Sequence, residues 1–192
     1  MDEGDVDAAD AARVLAGDPD AFEGIVRRWQ ARLVNLAWRF CRDRAAAEDM
    51  AQEAFVKAFR SLGTFRGEAR FSTWLTSIAV NTYRSRLRAD GPPLLSLDLA
   101  KVFGAAASPL QGLQERDQAE AVRRAVLTLP ARYRDALIVY YFQERDLAES
   151  ARALGIAEGT LKAQLHRGRE LVRRRCAALA PAGRSRGREE GT

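Results

Sequence analysis

Apolar residues recur at three- and four-residue steps along most of this chain, a period that only packed helices satisfy. Phe22, Ile25, Val26, Trp29, Leu33, Leu36, Ala37 and Phe40 form one stripe of a helix. Asp20 stands where an N-cap would sit. A second helix is predicted over 47–62, with Ala51, Phe55, Ala58, Phe59 and Leu62 facing inward and Gly63 ending it. Residues 64–70 read as an ordered loop. A third helix begins near Ser72, buries Leu75, Ile78 and Thr82, and carries Arg84, Arg86 and Arg88 toward its end, where cations suit the helix dipole. The run Asp90-Gly91-Pro92-Pro93 stops it.

Sustained periodicity then lapses over 91–118, which contains Pro92, Pro93, Gly104, Pro109 and Gly112 and reads as a flexible linker with a short helical turn near Leu97–Phe103. It resumes with Ala119, Val122, Val126 and Leu129, breaks at Pro130, and continues through Ala136, Leu137, Val139, Tyr140 and Tyr141. Two more helices are expected at 146–154 and 157–176. No internal repeat and no strand pattern is present. The predicted fold is all-α: an acidic N-terminal tail (1–17), a first small helical domain (18–90), the linker (91–118), a second helical domain (119–178) and a mobile tail (179–192).

Charge divides along the same boundaries. Residues 1–20 hold seven acids and one Arg, 21–90 hold thirteen bases against seven acids, and 120–180 hold twelve bases against seven. Two basic blocks point to two surfaces that meet a polyanion. No apolar run approaches the roughly 18 residues of a membrane span, and the acidic start predicts no signal peptide. Cys41, Cys176 and the single histidine, His166, supply neither a disulfide framework nor a metal-ligand cluster. The chain is therefore expected to be a reduced, cytoplasmic, cofactor-free protein and not an enzyme.

The clearest local motif is Leu147 to Lys162, where a short helix, a turn holding Gly155 and a second helix match a helix-turn-helix. Leu161, Leu165, Gly168 and Val172 form the packed face of the second helix. Lys162, Ala163, His166, Arg167, Arg173 and Arg174 lie opposite, placed to reach base edges and phosphates in a DNA major groove.

Three features coincide in the first domain. Asp49, Gln52, Glu53 and Val56, at steps of three, four and seven, share an outer helix face, and an exposed valine among acids and amides suits a protein contact. Phe65, Phe71 and Trp74 stand among Arg66, Arg70 and Arg84, the mixture of π-faces and cations that single-stranded nucleic acid requires. The spacing leaves open that Phe71 and Trp74 are core residues. Trp74, Asn81, Arg84 and Arg88 follow one flank of the third helix, where Asn81 either reads a base or closes a core hydrogen bond.

The stretch Ala47 to Phe59 resembles the core-polymerase-binding helix of bacterial sigma factors. Thr64-Phe65-Arg66-Gly67, Phe71-Ser72-Thr73-Trp74-Leu75 and Ile78-Ala79-Val80-Asn81 are similar to the promoter-melting segment and the helix that follows it. Leu129-Pro130-Ala131-Arg132-Tyr133-Arg134, the helix-turn-helix and His166-Arg167-Gly168-Arg169 are similar to the second DNA-binding domain. Two such domains with none between them resemble the extracytoplasmic-function (ECF) group of the sigma-70 family. The C-terminal domain is then expected to be winged-helix-like without a wing.

The resemblance implies roles residue by residue. Asp49, Gln52, Glu53 and Val56 would dock on the clamp helices of the polymerase β′ subunit, with the β flap as a further contact of the enzyme. Phe65, Ile78 and Asn81 would pocket a base flipped from the −10 element. Arg66, Arg70, Trp74, Arg84 and Arg88 would hold the opened strand or flanking duplex. Lys162, Ala163, His166 and Arg167 would read the −35 element, and residues 91–118 would thread toward the polymerase active-site channel. An anti-sigma factor, often membrane-anchored in this family, is the implied inhibitor. Gly168 stands where Ala is frequent, Ser150 where an apolar residue is usual, Ser85 where Asp is frequent and Ala157 where Ser or Pro is common. The alternative reading is a stand-alone helix-turn-helix regulator that binds duplex operators.

Overall fold

The computed structural model describes residues 3–89, 122–144 and 146–179; the linker expectation for 91–118, with its turn at Leu97–Phe103, and the tail beyond 180 lie outside them. The described residues contain helices and turns and no strand. The N-terminal domain is built from α1 (Glu3–Leu15), α2 (Phe22–Cys41), α3 (Arg44–Ser61) and α4 (Phe71–Ala89). The C-terminal domain has a helical segment at 122–127, then α5 (Ala131–Phe142), α6 (Leu147–Leu154) and α7 (Glu158–Leu179).

The stripe on α2 buries as its spacing requires: Phe22, Ile25, Trp29, Leu33, Leu36, Ala37 and Phe40 are buried, and Val26 is half-buried. Each large apolar side chain so enclosed contributes about 1.5–3 kcal/mol relative to exposure. The facing side of α3 is Ala47, Ala51, Ala54 and Ala58 around Met50 and Phe55, small residues that let α2 approach closely. α4 closes this layer, with Tyr83 fully buried and its hydroxyl donating to the Leu33 carbonyl at 3.1 Å. Burial pushes the Tyr83 phenol far above its ordinary range.

Between α2 and α3 the chain turns on two residues. Arg42 adopts a left-handed conformation, φ +61°, and stacks its guanidinium 3.6 Å from the centre of the Trp38 ring. Asp43 then caps α3, its carboxylate accepting from the Ala46 amide at 2.7 Å. At the start of α2 the structure departs from expectation. Pro19–Ala21 forms a 3-10 turn leading directly into the helix, the N-cap is Ala21, and Asp20 caps nothing.

The acidic N-terminus differs more. Instead of a tail, residues 3–15 form α1, which packs on α2 and α4. Asp7 is buried and accepts twice, from Trp29 Nε1 at 2.8 Å and from Arg28 Nε at 2.8 Å. Asp10 takes the other side of the same guanidinium at 2.6 Å. The acids thus clamp an arginine and an indole, and Gly24 makes room for them: a methyl there would lie 2.8 Å from Asp10 Oδ2.

In the C-terminal domain Asp146 caps α6 by accepting from the Glu149 amide at 3.0 Å. Gly155 ends it at φ +65°, with Gly155 N donating to the Arg152 carbonyl and Ile156 N to the Ala151 carbonyl. The two domains are in contact, α4 lying against α6 and α2 against α5.

Candidate nucleic-acid and protein-docking interface

On α3, Asp49, Gln52 and Val56 are exposed on one face, as their spacing requires, with Val56 43% exposed. Glu53 is half-buried and tied to Lys57 at 2.7 Å and to Arg86 of α4 at 3.7 Å. Phe59, expected inward, is 43% exposed and packs edge-on against Phe22 with ring centres 5.1 Å apart. Ala58 and Leu62 take the inward positions, so Phe59 is displaced to the edge, where it extends the Val56 face. The result is an acidic-amide strip ending in two accessible apolar groups.

The loop between α3 and α4 gathers the aromatics. A 3-10 turn at Leu62–Thr64 and a left-handed Gly67, φ +73°, fold it back on α4. Phe65, Phe71 and Trp74 form a mutual cluster with ring centres 5.3–5.5 Å apart. Of these, Phe71 is buried core, while Phe65 and Trp74 are half-buried with accessible edges. Thr64 Oγ1 accepts from Trp74 Nε1 at 3.3 Å and so orients the indole. A cavity of about 210 Å³ opens between them, lined by Phe65, Arg66, Glu68, Trp74, Ser77 and Arg152. Arg66 and Arg70 are exposed beside it.

Further along α4, Ile78 is half-buried against the core, whereas Asn81 is exposed, which removes a core role for its amide. Neither lines the small cavity with Phe65. Arg84 is 27% exposed and donates from Nε to Asp135 Oδ2 of α5 at 2.8 Å. Arg88 is exposed and donates to the Arg84 carbonyl at 3.2 Å. Sequence reasoning missed the partners of this flank: Asp135, and Glu149 of α6, which accepts from the buried Thr73 hydroxyl. Those pairs join residues 51 and 76 positions apart, and no local pattern marks them.

On α7 the division of faces is the expected one. Leu161, Leu165 and Gly168 are buried, Val172 is half-buried, and Lys162, Ala163, His166, Arg167, Arg173 and Arg174 are exposed. A groove of about 680 Å³ beside the helix is shared by Lys162, His166, Arg169, Arg173 and Tyr140. Arg169 lies over the Tyr140 ring at 5.4 Å, and Arg167 and Arg174 both reach Glu170. A protruding helix with a small residue among cations is shaped to enter a groove of duplex DNA. Ser150, the polar residue at a buried position of α6, is satisfied by donating to the Asp146 carbonyl. Gly168 has a packing reason: a methyl there would sit 3.1 Å from Leu137 Cδ1 and 3.5 Å from Tyr133 Cβ.

Among the described residues no three His, Cys, Asp or Glu side chains are placed to hold a metal, and no helix is long and apolar enough to cross a membrane.

Comparison with known proteins accords with this geometry. A family model for sigma-70 region 2 matches residues 25–91, and one for sigma-70 region 4 matches residues 119–172. The chain is 31% identical over 172 residues to the ECF RNA polymerase sigma factor SigW of Bacillus subtilis, covering 84% of this chain and 92% of SigW. It is 36% identical over 171 residues to the RNA polymerase sigma-H factor of Pseudomonas aeruginosa, covering 83% and 88%. With the ECF sigma factor SigM of Mycobacterium tuberculosis it shares 37% identity over 169 residues, covering 88% and 83%. Among solved structures, its fold is similar to CnrH in complex with the cytosolic domain of CnrY, with a TM-score of 0.66, 21% identity and 90% and 98% of the two chains covered. It is also similar to the sigma factor RpoE of Bartonella quintana in complex with the anti-sigma factor NepR, with a TM-score of 0.59, 23% identity and 83% and 98% covered. With both regions present in order and relatives matched over nearly their whole length, the chain belongs to the ECF group of sigma-70 family RNA polymerase sigma factors.

Proposed function

We propose that this sigma factor divides promoter recognition among three of its faces. Asp49, Gln52, Glu53 and Val56 of α3, with Phe59 at the end of the strip, dock on the β′ clamp helices of core RNA polymerase. The α3–α4 loop and the flank of α4 take the melted −10 strand: Phe65 and Trp74 supply π-faces, Arg66, Arg70, Arg84 and Arg88 the phosphate contacts, and Asn81, with Ile78 beside it, the polar group that reads an extruded base. Lys162, Ala163, His166 and Arg167 of α7 read the −35 element. The chain itself makes and breaks no bond. It offsets the few kcal/mol needed to flip a base by stacking and hydrogen bonds to the extruded base. Tethering two weak readers to one enzyme raises the effective concentration of each at the promoter.

The observation that carries this reading is the cavity of about 210 Å³ walled by Phe65 and Trp74 with Arg66 at its rim, which combines aromatic surface and cation in one place. An operator-binding regulator accounts for α5–α7 but gives no use to that cavity or to the α3 strip. By analogy with the relative captured with the anti-sigma factor NepR, this chain is held in the cytoplasm by a protein inhibitor of the same kind. The β flap of polymerase is the partner expected for the C-terminal domain.

Run-off transcription with purified core polymerase tests the proposal. Asp49→Arg is expected to abolish transcription by weakening polymerase capture. Asn81→Ala is expected to spare capture and reduce promoter opening. Retention of polymerase binding by Asp49→Arg refutes the docking assignment.

A further inference from the structure

The flank of α4 assigned above to the melted strand is not free in this structure: the C-terminal domain lies on it. Two carboxylates make the polar contacts. Asp135 of α5 takes Arg84 Nε at 2.8 Å, and Glu149 of α6 takes the hydroxyl of Thr73. Arg134 also lies over the Phe40 ring, 5.9 Å from its centre. Arg152 of α6 forms part of the wall of the small aromatic cavity. The larger cleft, about 780 Å³, that contains Phe65 and Arg70 is closed on its far side by Glu144, Asp146 and Glu149.

The chemistry of this contact is that of a phosphate substitute. A carboxylate is an acceptor-only anion that engages a guanidinium as a phosphate oxygen does. Arg84 cannot give the same N–H to Asp135 and to a strand, and α6 fills the volume that a strand would occupy.

A second feature makes the contact reversible. Within its own domain Asp135 also accepts from Arg134 Nε at 3.1 Å, and Glu149 also accepts from Arg152 Nη1 at 3.0 Å. When the domains part, each carboxylate keeps a cation, so opening strands neither as an unpaired buried charge. A permanent interface has no need of that provision.

We infer that the C-terminal domain is an internal competitor for the melted strand: in the free chain α5 and α6 close over the α4 flank through Asp135 and Glu149, and docking on polymerase draws the domains apart and releases it. The inference rests on the assignment of that flank to DNA. Apparent affinity of the free chain for a strand is the intrinsic affinity multiplied by the open fraction, so a chain closed most of the time binds DNA weakly until the enzyme opens it.

The test uses the full chain in a Cys41→Ser, Cys176→Ser background with spin labels at Asn35→Cys on α2 and Glu158→Cys on α7, both exposed positions. Double electron–electron resonance is compared with and without the isosteric pair Asp135→Asn and Glu149→Gln. Binding of a fluorescein-labelled, mixed-sequence single strand is measured on the same proteins. The unaltered latch should give a short, narrow distance distribution. The paired variant should give a long, broad one, with strand binding tighter by about tenfold or more, as the open fraction rises. If Asp135→Asn impairs folding by circular dichroism, Glu149→Arg alone, at the domain edge, should produce the same shift. Identical distance distributions in latch and variant overturn the inference, as does opening without a gain in strand binding. A variant that opens and binds the strand more tightly, yet drives no run-off transcript with core polymerase, upholds the latch and overturns the promoter role instead.

Discussion

Replacing Asp7 by alanine tests whether α1 is part of the domain or an ornament on it. In the native structure one carboxylate serves two donors, Trp29 Nε1 and Arg28 Nε, both at 2.8 Å. Trp29 is 5% exposed, so its indole N–H finds no water once the acceptor is gone, a loss of about 1–3 kcal/mol. Arg28 is 24% exposed and retains Asp10 at 2.6 Å, so its share after hydration is smaller, about 1 kcal/mol. Asp7→Ala should therefore destabilise the N-terminal domain by about 3 kcal/mol. Asp7→Asn, which keeps one acceptor oxygen, should cost about half as much. The control is Glu23→Ala, which removes the equally short Arg27–Glu23 pair at 2.6 Å, with side chains 75% and 65% exposed. That change should cost only a few tenths of a kcal/mol. Urea unfolding followed by tryptophan fluorescence ranks the three. Equal effects of Asp7→Ala and Glu23→Ala would refute the idea that burial, not ion-pair geometry, makes the α1 clamp matter.

Two further outcomes follow from the packing. Gly168→Ala gains about 1 kcal/mol of helix propensity but places its methyl 3.1 Å from Leu137 Cδ1, so its measured effect should be small, whereas Gly168→Val should lower stability by about 1–3 kcal/mol through overpacking between α5 and α7, read as a drop in thermal midpoint. Burial raises the Cys41 thiol, which also donates to the Asp43 carbonyl at 3.3 Å, so in a Cys176→Ser protein at pH 8 its alkylation should be slower than in urea. Because the folded value is the higher one, the stability this thiol contributes is complete below the ordinary thiol range and falls as pH climbs above it, which denaturation at successive alkaline pH values would reveal.

Much of the fold was legible because the period of α2 and the Gly155 turn of the helix-turn-helix are local signals that tertiary packing reinforces. The faces of α7 came through for the same reason. α1 was not, although Asp7, Ala11 and Val14 are spaced to share one side of a helix; seven acids in twenty residues read as a solvated tail until Arg28 and Trp29 are placed against them. The Asp20 cap failed because Pro19 starts a 3-10 turn that makes a cap superfluous. Phe59 was misplaced because α3 buries a narrow row of alanines, leaving no room for a ring at its edge. The aromatic loop was half legible: composition showed rings among arginines, but only packing separates buried Phe71 from accessible Phe65 and Trp74. The apposition of the domains lay beyond reach, since it depends on carboxylates far along the chain that look like ordinary surface acids.

Phe59 belongs to an outer face and, through Phe22, to the interior at once. A chain built this way cannot retune that patch cheaply over evolutionary time: a smaller residue there slackens the ring beneath it, and a polar one meets an aromatic edge. Divergence between paralogues should therefore accumulate at Asp49 and Gln52, where a side chain can change without disturbing anything underneath, and competition among rival specificity subunits for a common enzyme should be settled mainly by those two positions.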